Sequence, residues 1–411
     1  MAGVHIDHMV SLITFLLAMM LFIGMYSQTI KNALTYQNNN VVAFKCSDLL
    51  DNIMLSPGIP PQWGQTDDTP AGFGLQAADF TQYQLSPFSL MRLRSSIGTA
   101  VNYTMTGQSY SNISMGFGQS LLVPYSEALD YSTVSNLLGI NGSYGFSLTL
   151  TPILKITISQ PPTNSSNFSI EVAGPGFPLA NADVDYCLIT VNCKEEGAYP
   201  QYQISYGSTV TDSAGSAPLS FPGFDGNATS FALVACAHLS GLVGMGYYSH
   251  VLYDASYVIP LVSSIENGTA ILAHSWDVIG GSDPDAAIQY NATFVVLAND
   301  LKLREMPLAN YSGSAVGLLN SGQVPELAYD TLTIGTHSPG ILIVSYSTSV
   351  QDTGIVVMPW GLSSLAFPIT FGGNPNYKRW VATDIRQVMV NSVTYQAKLS
   401  VWSLSGYEVS G

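Results

Sequence analysis

Hydrophobic and polar positions follow two regimes along this chain. From Met9 to Tyr26 (MVSLITFLLAMMLFIGMY) the sequence is apolar and uncharged for 18 residues. At about 1.5 Å per residue, a helix of that length just crosses a hydrocarbon core. No breaker follows it. SQTIKNALTYQNNNVVAFKCSDLLDNIML stays helix-compatible until Pro57-Gly58. The pattern predicts one continuous helix over residues 1–55 that begins in a membrane and ends well outside it. Val42, Cys46, Leu49 and Ile53 fall at i, i+4, i+7 and i+11, a stripe at helical period suited to packing on the chain's own outer domain.

Beyond the helix the period changes. Residues 56–96 are punctuated by Pro and Gly, with Trp63, Phe73, Leu75, Tyr83 and Leu85 as apolar anchors, and read as a collar around the helix end. YSTVSNLL (131–138) reads as a short helix closed by Gly139. YGFSLTLTPILKITIS (144–159) alternates as strand, and the polar break at residues 160–166 is the expected domain boundary. Short strands follow (FSIEVAG, ADVDYCLITVN, YQISYG, APLSFPG, SFALVACAHL), a spacing that favours a β-sandwich. TAILAHSW, YNATFVVLA, GILIVSYS and TGIVVMPW continue the strand pattern, and Pro359, Gly361, Pro368, Gly372 and Gly373 argue against a second membrane span. Residues 393–403 echo 144–151 in pattern, so the two are expected to pair in one sheet. The fold class is therefore mainly β: a long N-terminal helix (1–55), a collar and first part of a head (56–160), a β-sandwich (165–257) inserted into that head, and a C-terminal β-rich part of the head (258–411).

Composition narrows the setting. Charged residues are 9% and the net charge is −15 with 12 Lys plus Arg, so no basic surface for nucleic acid can be assembled. Low charge with abundant Ser, Thr, Asn and Tyr suits an exported protein, and suits an acidic medium in which carboxylates are protonated. Nine Asn-x-Ser/Thr sequons begin at Asn102, Asn112, Asn141, Asn164, Asn167, Asn227, Asn267, Asn291 and Asn310. They place the C-terminal mass outside the cell, against the small opposite bias of Lys31 and Lys45. MAGVHIDH has no Lys or Arg, and no A-x-A site follows Tyr26, so the apolar run reads as a retained anchor rather than a cleaved signal.

Candidate chemistry is sparse. Cys46, Cys187, Cys193 and Cys236 contain no C-x-x-C pair. Cys187 and Cys193 bracket an extended LITVN, too long for them to bridge each other, which leaves Cys236 bonded to Cys187 or to Cys193, or all of them as buried thiols. Cys46 is expected to stay free. No nucleophile elbow, phosphate loop, dinucleotide fingerprint or H-E-x-x-H occurs, and the six histidines are scattered. The expectation is a protein that is not an enzyme and carries no cofactor. Asn181, Asp183 and Asp185, and separately Asp277, Asp283 and Asp285, are candidate Ca²⁺ groups, with solvated turn acids as the plainer reading. Trp360, Tyr377, Trp380 and Tyr395 are a candidate sugar-stacking surface, with core packing as the plainer reading.

Gly3-Val-His-Ile-Asp7-His8, set just ahead of the apolar helix, resembles the N-terminus of archaeal type IV pilin-like proteins. The resemblance implies processing at Gly3 by a prepilin peptidase and a role for Asp7 in registering subunits during assembly. Pro178-Leu-Ala-Asn-Ala-Asp-Val184 and Thr211-Asp-Ser-Ala-Gly-Ser-Ala217 resemble hairpins of carboxypeptidase-regulatory-like and related immunoglobulin-like domains. In the second, Asp212 can accept from turn amides while Gly215 takes positive φ. The leading expectation is a structural surface protein. It would be a pilin-like subunit or adhesin, a homo-oligomer through its N-terminal helix, held in the membrane before assembly and open to contact with surface glycans. The rival is a monomeric anchored ectodomain that binds carbohydrate or solute.

Overall fold

A computed structural model describes residues 2–404, apart from 80, 104–105, 115–119, 162–165, 193–199, 253–257, 275–286, 309–316, 321–328, 336–337, 349–352, 362–365 and 376–379. It is mainly β, with one long N-terminal helix followed by several sheets. The helix, Ala2–Leu55, is unbroken over 54 residues, about 81 Å at the usual rise.

The foot of the helix is seated on a five-stranded sheet. That sheet runs in the order Gln84–Leu85, Ala382–Val390, Val393–Ser403, Tyr144–Pro152, Ile369–Gly372. Its centre is the expected pairing of the chain's end with its middle: Tyr395 opposite Pro152 and Ser403 opposite Tyr144, antiparallel. Val42, Cys46, Leu49 and Ile53 are all buried, as the helical stripe required. The Cys46 thiol donates toward the carbonyl of Leu399 at 3.4 Å. Arg386 on the sheet reaches Asp51 of the helix (Nε to Oδ1, 3.0 Å) and its own neighbour Asp384 (2.8 Å). Burial and one charged clamp therefore fix the last turns of the helix to the head.

The collar closes over that foot. The amides of Leu75 and Gln76 donate to the carbonyls of Ile53 and Ser56. Trp63 is buried and its indole donates to Gly74 O at 2.9 Å. Helix Pro87–Ser95 starts with Ser86 accepting from the Ser89 amide and with Pro87 in the first turn. It delivers Arg92 into the interior, over the Trp63 ring at 5.3 Å. The guanidinium donates to the carbonyls of Trp63, Thr66, Asp67, Asp68 and Glu127. Burial of a cation is tolerable here because its donors are spent on main-chain oxygens.

The inserted sandwich has two facing sheets. One is Ser216–Ser220, Asn167–Gly174, Lys155–Ser159; the other is Gln201–Val210, Asp183–Asn192, Phe231–Leu239, Leu242–His250. Phe168, Ile170, Val184, Leu188, Phe231 and Leu233 fill the space between them. The sandwich takes in Lys155–Ser159, which pairs with Asn167–Gly174. The strands on either side of the polar break at 160–166 thus belong to one sheet, so the break does not separate domains; Pro and Ser mark connections within a domain as readily as between domains. The hairpin at Asp212 forms as expected: its Oδ1 accepts from Ala214 N (2.8 Å) and Ser216 N (2.9 Å), with Gly215 at φ +73°. Helix Tyr131–Leu137 is capped by Asp130, which accepts from the Thr133 amide at 2.7 Å, and is closed by Gly139 at φ +65°. Two further sheets complete the head, one built on Val258–Ser264 and the other on Ala287–Leu297 and Gly340–Thr348. Thr353–Trp360 is a strand of the latter, where a second span was rejected from sequence.

Candidate functional site

The most unusual surface of the molecule is the free part of the N-terminal helix. The apolar window within it has none of its residues buried by the head. Phe15 (66%), Met20 (71%), Phe22 (77%) and Met25 (71%) stand open. Burying each such side chain is worth about 1.5–3 kcal/mol, so water is the wrong medium for this segment.

Apolar exposure does not stop at Tyr26. Ile30, Leu34, Val41 and Phe44 are also exposed. Their spacing of i, i+4, i+11 and i+14 puts them on one helical face. At 100° per residue that face lies roughly 125° around the helix from the docked stripe of Val42, Cys46, Leu49 and Ile53. The same helix therefore carries two apolar stripes in its outer half, one covered by the head and one open. From Met9 to Phe44 the apolar side chains on this face span about 54 Å, interrupted at Gln37, against about 30 Å of hydrocarbon in a bilayer. A bilayer thickness is enough to cover residues 9–26 and falls short of the outer stripe.

Gly3 lies in the first turns of the helix, and Asp7 follows one helical turn later, exposed at the start of the apolar window. Asp7 has no ion pair among the described residues.

The cysteine pairing with Cys187 is corrected by the structure. Cys46, Cys187 and Cys236 are buried free thiols. The strands carrying Cys187 and Cys236 are adjacent, but Cys187 stands opposite Val234 and Cys236 opposite Asp185, so the two sulfurs are diagonal. Diagonal positions sit about 7–8 Å apart, beyond the about 4.4–6.8 Å usual for bridged Cα atoms. Burial, with the Asp185 carboxylate near, pushes both thiols up to about 12. LITVN is one strand through Asn192, and Cys193 lies outside the described residues.

The sequons divide. Asn102, Asn141, Asn227 and Asn267 are exposed, and Asn167 is half-buried on a strand. Asn112 lies on strand Gln108–Ser114, while Asn164 and Asn310 lie outside the described residues. Asn291 is corrected: it is 3% exposed and its amide nitrogen donates to Pro200 O at 3.2 Å, which leaves no room for a glycan in this fold.

The other candidates disperse. Trp360 and Tyr395 are core residues, Trp380 is exposed, and Tyr377 lies outside the described residues, so the sugar-stacking surface does not assemble. Asp183 faces His238 Nε2 at 3.4 Å and Asp185 accepts from the Leu303 amide at 2.8 Å, so both have protein partners. Asp277, Asp283 and Asp285 lie outside the described residues. Among the described residues no group of three or more His, Cys, Asp or Glu side chains is placed to hold a metal ion.

Sequence reasoning missed one buried acidic group. Glu127 is 5% exposed and its Oε2 has no hydrogen-bond partner, as is true of Asp67 Oδ1. Burial, then the nearby Asp67 charge, raises the Glu127 carboxyl to about 8 despite Arg92. No local signal in the sequence marks it, because the collar brings residues 67, 92 and 127 together across long separations.

Comparison with known proteins assigns no family. No protein-family model matches the chain, and no curated protein matches it. Among solved structures, red sea bream transglutaminase aligns with 62% of this chain at 10% identity and a TM-score of 0.18. The chain spans 37% of that protein's length, and a likeness this slight carries no argument. The class that stands is a mainly β protein borne on a long apolar helix, consistent with membrane anchoring.

Proposed function

We propose that this chain is a structural surface protein. It is a pilin-like subunit of an archaeal type IV pilus-like filament or adhesin, with its β-rich, glycosylated head outside the cell. Residues 9–26 hold it in the membrane before assembly, and processing at Gly3 frees an N-terminus that pairs with Asp7 of a neighbouring copy. The observation that carries the reading is the length of the open apolar surface. Lipid accounts for residues 9–26, whereas the stripe of Ile30, Leu34, Val41 and Phe44 calls for a protein neighbour, and a second copy's helix has the matching chemistry. The docked foot supports the same reading, because a helix clamped by Arg386, Asp51 and Asp384 holds the head at a fixed angle to the filament axis. The sandwich is read as immunoglobulin-like from its Asp212 hairpin and two-sheet core. Electron microscopy of the native protein tests the assignment. Helical filaments with the N-terminal helices bundled at the axis are expected; dispersed single particles under all assembly conditions would overturn it.

A further inference from the structure

A second candidate site lies on the head, at the seam between the collar and the turn joining Ala382–Val390 to Val393–Ser403. It is a cavity of about 160 Å³. Gln62, Gln65, Gln84 and Asn391 supply its amides, and Pro61, Pro87, Pro339 and Phe88 its apolar walls. Among the described residues, no charged side chain lines it. Among the described residues, the four amide groups take no hydrogen bond from the chain. Each offers two donors and an acceptor, so the pocket presents a dense set of neutral polar groups facing open space.

The walls are built before any ligand arrives. Gln84 sits on a strand held parallel to Met389 and Val390. Gln62 and Gln65 flank the turn pinned by buried Trp63. Phe88 is packed edge-on against Trp360 at 6.0 Å. Asn391 and Ser392 both take positive φ in the tight hairpin turn, and Asn391 lines the cavity.

We infer that this cavity binds one ring of a neutral, hydroxyl-rich ligand, a single pyranose unit of a glycan. A charged ligand would find no counter-ion and would lose its hydration unrepaid. A purely apolar ligand would desolvate the amides of Gln65, Gln84 and Asn391 without replacing their hydrogen bonds. A sugar ring satisfies both constraints, with its C–H face on the prolines and its hydroxyls toward the amides. The volume is below the about 300–1,000 Å³ of sites for larger ligands, which limits occupancy to one ring. The inference is independent of filament assembly.

The test uses the full chain in a detergent without a sugar head group. Saturation-transfer NMR is run with glucose, galactose, mannose and N-acetylglucosamine, and with glucuronate as the charged comparison. At least one neutral sugar is expected to bind, with glucuronate weaker. Gln84→Leu and Gln65→Leu should each weaken that sugar at least tenfold. Gln62→Ala, on the exposed rim, should weaken it less while leaving the melting temperature unchanged, which separates loss of binding from loss of fold. Absence of binding by every neutral sugar, tighter binding of glucuronate, or unchanged affinity in both leucine variants would overturn the inference.

Discussion

The helix makes a sharp prediction because its two apolar stripes do different jobs. Ile53 is fully buried beside Leu49, Leu50 and Met54. Ile53→Ala removes packed methyl groups from a site that the sheet and collar hold rigid, a loss of about 2–5 kcal/mol. At about 2–4 °C per kcal/mol for large domains, the apparent Tm of the head should fall on the order of 5–15 °C. Phe44, two and a half turns earlier, is 73% exposed. Phe44→Ala should stay within about 0.5 kcal/mol of wild type in stability, since it touches no buried feature of the head. The order reverses in assembly. Phe44→Ala should reduce sedimentable filament, because it removes apolar area that a neighbouring helix would cover. Near-UV circular dichroism of the detergent-solubilised chain reads the first effect, and pelleting after detergent removal reads the second. If Phe44→Ala lowered the Tm as much as Ile53→Ala, the division into a docked and an open stripe would be wrong. Full polymer yield from Phe44→Ala would remove the support that the open stripe lends to the filament reading.

Three further outcomes are expected. Asp7→Ala should leave the head's Tm unchanged and reduce polymer yield, since an apolar bundle would accommodate a carboxylate mainly as a partner for a neighbour's amine; wild-type yield would count against the assembly role. Glu127 has a folded-state pKa raised from 4.5 to about 8, so its contribution to stability is fully present below about pH 4.5 and is lost as pH rises toward 8. Glu127→Gln mimics the protonated carboxyl, and its Tm should match wild type near pH 4.5 and exceed it above pH 8; equal Tm values across that range would refute the burial argument. Cys187 and Cys236 should resist alkylation in the native state and both label on unfolding without reductant; a peptide linking the two would contradict the diagonal register.

Much of the architecture was legible because it rests on short-range order. The 54-residue helix follows from an unbroken helical pattern, its docked face from the period of Val42, Cys46, Leu49 and Ile53, and the Asp212 and Asp130 devices from side chains bonding amides two to four residues away. Even the pairing of 144–151 with 393–403 could be read, since both alternate in the same sense. What remained hidden depends on which distant surfaces meet. The break at 160–166 looks alike in sequence whether it ends a domain or turns a hairpin. Asn291 carries the same sequon as Asn267, yet one is buried against Pro200 and the other open, because burial belongs to the sheet stack and not to the tripeptide. A two-residue difference in register, beyond the reach of local pattern, decides whether Cys187 faces Cys236 or Val234. The Arg92 cradle and the amide-lined cavity are of the same kind. The cradle gathers residues 63 to 127 around Arg92, and the cavity joins the collar to Pro339 and to Asn391 in a turn far later in the chain, so only tertiary packing draws either set together.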